Sequence, residues 1–170
     1  FDQVIEEGEF PLFSNSYLLL IGKKPQTVYA KFSNDRAKAW AIRTLIHKSA
    51  AGTFLVEKQP NDKEANAHIV HTYQAYEALS KRYEGTKIRM NECKRTPQSI
   101  VFPFCQGRTL EELLDERLDE QDAEGFRKLI EEYMHWLSYN EDANISNIDF
   151  IFPNILVDGD TWHVIDYEWT

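Results

Sequence analysis

A chain of 170 residues, 42% hydrophobic and 13% aromatic, is long and apolar enough to bury a proper core in one domain or two small lobes. Its net charge of −9 argues against a general nucleic-acid or anionic-membrane binder, but leaves room for a nucleotide, which needs only a few local cations. Two cysteines, Cys93 and Cys105, make no disulfide framework and predict a reduced, cytoplasmic setting, and the longest apolar run, residues 17–21, is far too short to cross a bilayer.

Residues 1–13 carry Asp2, Glu6, Glu7 and Glu9 around a few apolar positions and read as a leader or an edge strand. Residues 16–21 form a strand candidate closed by Gly22-Lys23-Lys24-Pro25, and Thr27–Phe32 is a second, so the two predict a hairpin. Ser14-Asn15-Ser16 before it reads as a simple turn, with a polar substitute for a Gly-rich loop as the alternative. Ser33-Asn34-Asp35 is an N-cap cluster and predicts a short helix over 36–48, with Trp40, Ala41, Leu45 and Ile46 on its buried side. Arg36 and Arg43 then read as solvated helix charges, with contact to phosphate or an acidic partner as the alternative.

Residues 53–59, TFLVEKQ, predict a third strand that carries Lys58 and leads straight into a long helix over 62–83. Apolar residues at 65, 69, 73, 76 and 79 give that helix a face of roughly 3.6 period. His68 and His71 share it, but no Cys or carboxylate pattern completes a zinc site, so they read as surface or interface histidines. Strands are expected at 87–93 and 99–104, with a turn at 94–97 between them. The joint 105–108 opens a helix at Thr109, where Thr109 and Glu112 form a capping box. An amphipathic helix over 122–140 should pack beneath the loop that follows.

That loop begins the most informative stretch, NIDFIFPNILVDGDTWHVIDYEWT. Asp149, Asn154 and Asp166 stand at intervals of five and twelve residues. Between the last two lies a β-hairpin, Ile155-Leu156-Val157, a turn at Asp158-Gly159-Asp160, and a second run over 162–165. Such a hairpin brings its ends together, so Asn154 and Asp166 should face one small volume. A phosphoryl-transfer site of the kinase type needs this set: one carboxylate for the proton of an attacking hydroxyl, then a carboxamide and a carboxylate for magnesium. The plain alternative is a capped loop, an ordinary turn and a solvated strand end.

The stretch resembles the catalytic segment of the protein-kinase-like superfamily. It is most similar to the small-molecule branch, the aminoglycoside phosphotransferase and choline kinase relatives, whose segment runs H-G-D-x-x-x-x-N-I-L-V and then I-D-W/Y-E. Asn147 stands where that branch usually has a His that braces the loop. The resemblance implies an α+β, two-lobe fold: an antiparallel-sheet N-lobe over 1–104, then the hinge and the start of a helical C-lobe over 105–170, truncated relative to the family. It implies Asp149 as catalytic base, Asn154 and Asp166 as magnesium ligands, and ATP and Mg2+ as cofactors. It implies Lys58 on the phosphates, with Lys31 as competitor, and Glu64 holding that lysine, with Glu77 as competitor. It places the adenine edge on the hinge backbone at Pro103, Phe104, Cys105 and Gln106. Glu168 reads as a solvated strand-end acid, with metal or substrate binding as the alternative. The G-x-G-x-x-G of protein kinases is absent, as it often is in small-molecule kinases.

FSNSYLLLI, the run Y-x-K-F-S-N-D-R, V-x-K and IDYEWT also look similar to kinase-like regions fused to methyltransferase or glycosyltransferase modules in bacterial surface-polysaccharide assembly. That resemblance implies cytoplasmic phosphorylation of a small-molecule or glycan hydroxyl, with other domains on the same polypeptide. The rival reading is a catalytically inactive scaffold or nucleotide-sensing module of a larger enzyme. A third is an unrelated α+β domain.

Overall fold

The computed structural model describes residues 27–33, 35–141 and 144–170. The expected leader, the turn at 14–16, and the strand at 16–21 with its hairpin lie outside them. In chain order the strands are β1 (Thr27–Phe32), β2 (Ile42–Lys48), β3 (Phe54–Pro60), β4 (Ile88–Met90), β5 (Lys94–Arg95), β6 (Ile100–Pro103), β7 (Arg108–Thr109), β8 (Ile155–Asp158) and β9 (Thr161–Val164). Three α-helices join them among the described residues: α1 (Asn66–Arg82), α2 (Leu110–Asp119) and α3 (Ala123–Glu141).

One sheet runs β1-β2-β3-β6-β5 and is antiparallel throughout. The second runs β4-β9-β8-β7 and contains one parallel pair, β4 with β9, beside antiparallel β8 pairings. The architecture is α+β.

The helix expected over 36–48 is not formed. A 3-10 turn, Lys38–Trp40, is followed by β2. Ile42, Thr44 and Ile46 are β-branched and stiff at χ1, which suits a pleated surface better than a helix. β2 also gains ladder bonds on both sides, from β1 and from β3. Its hairpin to β3 closes with Ser49 N donating to Thr53 O at 2.8 Å, and Gly52 takes the left-handed conformation there, φ +84°. Lys94 and Arg95, expected in a turn, pair with Val101 and Ile100.

One continuous core joins the two sheets. Ile69, Ala75 and Leu79 of α1 meet Ile100 and Phe102 of β6, then Ile155, Trp162 and Val164 of the C-terminal hairpin. Thr109 caps α2 through the predicted reciprocal box with Glu112. α3 lies under the loop after it. Tyr133 and Tyr83 stack on either side of Phe150, at 5.9 and 6.5 Å between ring centroids and nearly parallel. Tyr133 Oη donates to the Phe150 carbonyl at 2.9 Å. Asn140 on α3 exchanges two hydrogen bonds with the Asn147 backbone, both 2.9 Å. Loop 147–150 is thus strapped to a helix, and Asp149 sits within the strap.

Candidate functional site

The C-terminal hairpin sets the site. The Asp158–Thr161 turn, with Gly159 at φ +55°, joins β8 to β9, and Ile165 N donates to Asn154 O at 3.0 Å to close the open end. Asn154 and Asp166 flank that closing bond and line the same cavity. The Asn154 side-chain nitrogen donates to the Asp149 carbonyl at 3.0 Å. The carboxamide oxygen, which accepts rather than donates, is not spent on that bond.

Asn147 braces the loop of Asp149. It is 1% exposed. Its Oδ1 accepts the Asp149 N–H at 3.0 Å and its Nδ2 donates to the Asp166 carbonyl at 3.1 Å. One side chain therefore couples the loop of Asp149 to the segment of Asp166. Ile148 N adds a backbone bond to Trp169 O at 2.9 Å. Asp149 is half-buried, and its carboxyl is held above the usual range by burial and by the charges of Asp166 and Glu168, against the Trp169 N–H and Lys58.

Lys58 enters from β3. It and Lys31 both stand opposite Thr44 of β2, so both face the cavity, Lys58 buried at its floor and Lys31 exposed at its rim. Lys58 Nζ donates to Asp166 Oδ1 at 3.1 Å and to Glu168 Oε1 at 2.5 Å. Burial works against its charge, but Asp166 and Glu168 outweigh burial and raise its pKa. Neither expected partner is there. Glu64 is exposed on the 3-10 turn Lys63–Ala65, its N–H taken by Asp62, and Glu77 is exposed on α1.

The residue that sequence reasoning misjudged is Glu168. It is 3% exposed, not solvated. Its Oε2 accepts from Arg36 at 2.7 Å and from His68 Nε2 at 3.3 Å, while Oε1 takes Lys58. Burial alone would raise its pKa; His68, Lys58 and Arg36 together hold it well below the usual carboxylate range. Two signals pointed this way: the two-residue spacing from Asp166, and the need of a strand-buried lysine for counter-charge.

The cavity has a volume of about 720 Å³, within the span of small-ligand sites. Ile42, Val56, Phe102, Leu156 and Ile165 supply apolar wall, and Arg36, Lys58, Asn154, Asp166 and Glu168 the polar end. Pro103, Phe104, Cys105, Gln106 and Gly107 line it at the strand-to-helix joint. There the Pro103 carbonyl accepts from Asn91 Nδ2 at 3.1 Å and Phe104 N donates to Phe54 O at 3.4 Å. Gly107 turns the chain out at φ +145°, a conformation other residues rarely adopt.

Among the described residues no three His, Cys, Asp or Glu side chains converge as a metal centre. The Asn154 carboxamide and the Asp166 carboxylate are nonetheless the hard-oxygen pair that suits magnesium, which keeps several waters and takes the rest of its ligands from phosphate. No helix among the described residues is long and apolar enough to cross a membrane.

No family model matches the chain, and no curated protein does. Among solved structures the chain is similar to the apoenzyme of macrolide 2'-phosphotransferase MphH from Brachybacterium faecium. Identity is 8% and the TM-score 0.45, over 99% of this chain and 72% of that one.

Proposed function

We propose that the chain is an ATP- and magnesium-dependent phosphotransferase whose acceptor is a hydroxyl of a small molecule or glycan. The observation that carries the reading is one cavity lined by Lys58, Asn154 and Asp166, with Asp149 bonded to its edge through Asn154 and Asn147. The C-terminal hairpin brings Asn154 and Asp166 together, whereas Lys58 reaches the same cavity from β3, a strand that this hairpin does not place.

Asp149 takes the proton of the attacking hydroxyl. Burial and the charges of Asp166 and Glu168 raise its pKa, which makes it a better proton acceptor than an ordinary aspartate. Asn154 and Asp166 would hold magnesium, which supplies neutralisation of phosphate charge when bound. Lys58 presents a fixed positive charge to the phosphates. The strap from Asn147 and Asn140 keeps Asp149 from drifting, and positioning is most of what this chemistry asks of a protein. The adenine edge meets the hinge backbone at Pro103, Phe104, Cys105 and Gln106, which line the cavity, with the Phe104 N–H already bonded to Phe54 O at 3.4 Å.

The test is calorimetric titration of ATP with and without magnesium, beside Asp166→Ala. Magnesium-dependent binding that disappears in the variant supports the reading. A folded protein that binds no ATP under either condition refutes it. ATP binding without transfer to any hydroxyl acceptor would leave a nucleotide-sensing module.

A further inference from the structure

We propose that Glu168 and His68 together replace the helix glutamate expected to hold Lys58: Glu168 is the positioning residue for Lys58, and His68 on α1 is the positioning residue for Glu168. The inference rests on the phosphotransferase reading and deepens it.

A flexible lysine presents its ammonium usefully only if something fixes its end. Here Glu168 Oε1 does so at 2.5 Å. The other oxygen, Oε2, is taken by Arg36 at 2.7 Å and His68 at 3.3 Å, so the carboxylate cannot rotate away from Lys58 without losing both. His68 is 3% exposed, and a carboxylate only accepts, so Nε2 is the donor. Its other nitrogen, Nδ1, is buried with no hydrogen-bond partner among the described residues. A buried histidine that spends one ring nitrogen on a carboxylate and leaves the other bare has its polar function in that single contact. The ring is held in place by two indoles, Trp40 at 5.6 Å edge-on and Trp169 at 5.0 Å. Trp169 also lies 5.5 Å beneath the Arg36 guanidinium.

The helix thus contributes an imidazole where a carboxylate was expected, and the carboxylate has moved to the chain segment of the metal ligand. Asp166 and Glu168 are two residues apart and both bond Lys58. Lysine placement and the Asp166 carboxylate are therefore set by one short segment. Among the described residues His68 is the α1 side chain bonded to Glu168, while Tyr76 of the same helix stacks on Tyr167 between the two carboxylates at 6.1 Å.

The experiment compares ATP with adenosine, both with magnesium, on the wild-type chain and on Glu168→Gln, Glu168→Asp and the double variant H68E/E168Q. Circular dichroism checks that each folds. ATP reports the phosphate end of the site and adenosine does not. Glu168→Gln should weaken ATP by at least about tenfold, the scale of a lost charge-assisted hydrogen bond, and leave adenosine unchanged. H68E/E168Q returns a carboxylate to the helix and should recover part of the loss. Unaltered ATP affinity in Glu168→Gln overturns the assignment, as does an equal loss for both ligands, which would mark a merely structural role. Should Glu168→Gln not fold, Glu168→Asp keeps the charge but withdraws it from Nζ, and is judged on the same two ligands. A wild-type chain that binds neither ligand overturns the phosphotransferase reading itself, and this assignment with it.

Discussion

The Asn147 side chain donates to the Asp166 carbonyl at 3.1 Å while accepting the Asp149 N–H at 3.0 Å, so the loop and the hairpin segment share one buried carboxamide. Asn147→Ala leaves the part-buried Asp149 N–H and Asp166 carbonyl without this partner. A fully buried group of this kind costs about 1–3 kcal/mol, so for two part-buried ones a loss of about 2 kcal/mol is expected in urea unfolding. Because the loop also loses its tie to Asp166, magnesium-dependent ATP binding at 25 °C should weaken even where the variant stays folded. Unchanged stability and unchanged binding would show that α3 alone holds the loop.

What could be read from sequence was what is local. The hairpin at 155–164 announced itself through two apolar runs and an Asp-Gly-Asp turn, and it carried Asn154 and Asp166 together as expected. The capping box at Thr109 needed only four residues. β2 was misread because its apolar positions fit a helix as well as a strand, and the decision lay with β1 and β3 on either side. Glu168 was misread for a stronger version of the same reason. Its partners Lys58 and His68 lie 110 and 100 residues away in the chain, so the two-residue spacing from Asp166 was the one local sign of its burial. The parallel pairing of β4 with β9 is equally non-local.

Lys58 and Arg36 both pair with Glu168, but their removal should differ in cost. Lys58 has a side chain 9% exposed and serves two carboxylates; Arg36 is 31% exposed and serves one. Lys58→Met strands Asp166 and Glu168 beside each other. Breaking a buried pair costs about 3–5 kcal/mol, and the lower end is expected because Arg36 and His68 still hold Glu168. Arg36→Gln should cost no more than about 1 kcal/mol. Urea unfolding of the two variants without nucleotide decides it, and equal costs would mean that Lys58 is not the main counter-charge.

Cys93 gives a test of core integrity by pH. It is buried, and burial pushes its thiol up to about 11, against the Tyr167 hydroxyl and the charge of Lys58, from an ordinary value of 9.0. Between those values the folded chain keeps a proton that the unfolded chain has released. Stability contributed by this group is therefore full below about pH 9 and falls as pH rises toward about 11. Other groups titrate in the same range, so the comparison is with Cys93→Ala, whose lost packing costs the same at every pH. The gap in stability between wild type and variant should shrink steadily across that window when urea unfolding is measured at intervals of pH. A constant gap would place Cys93 in contact with water, and the packing of Tyr167 over Asn91, where its hydroxyl donates to the carbonyl at 2.7 Å, would then have to open in solution.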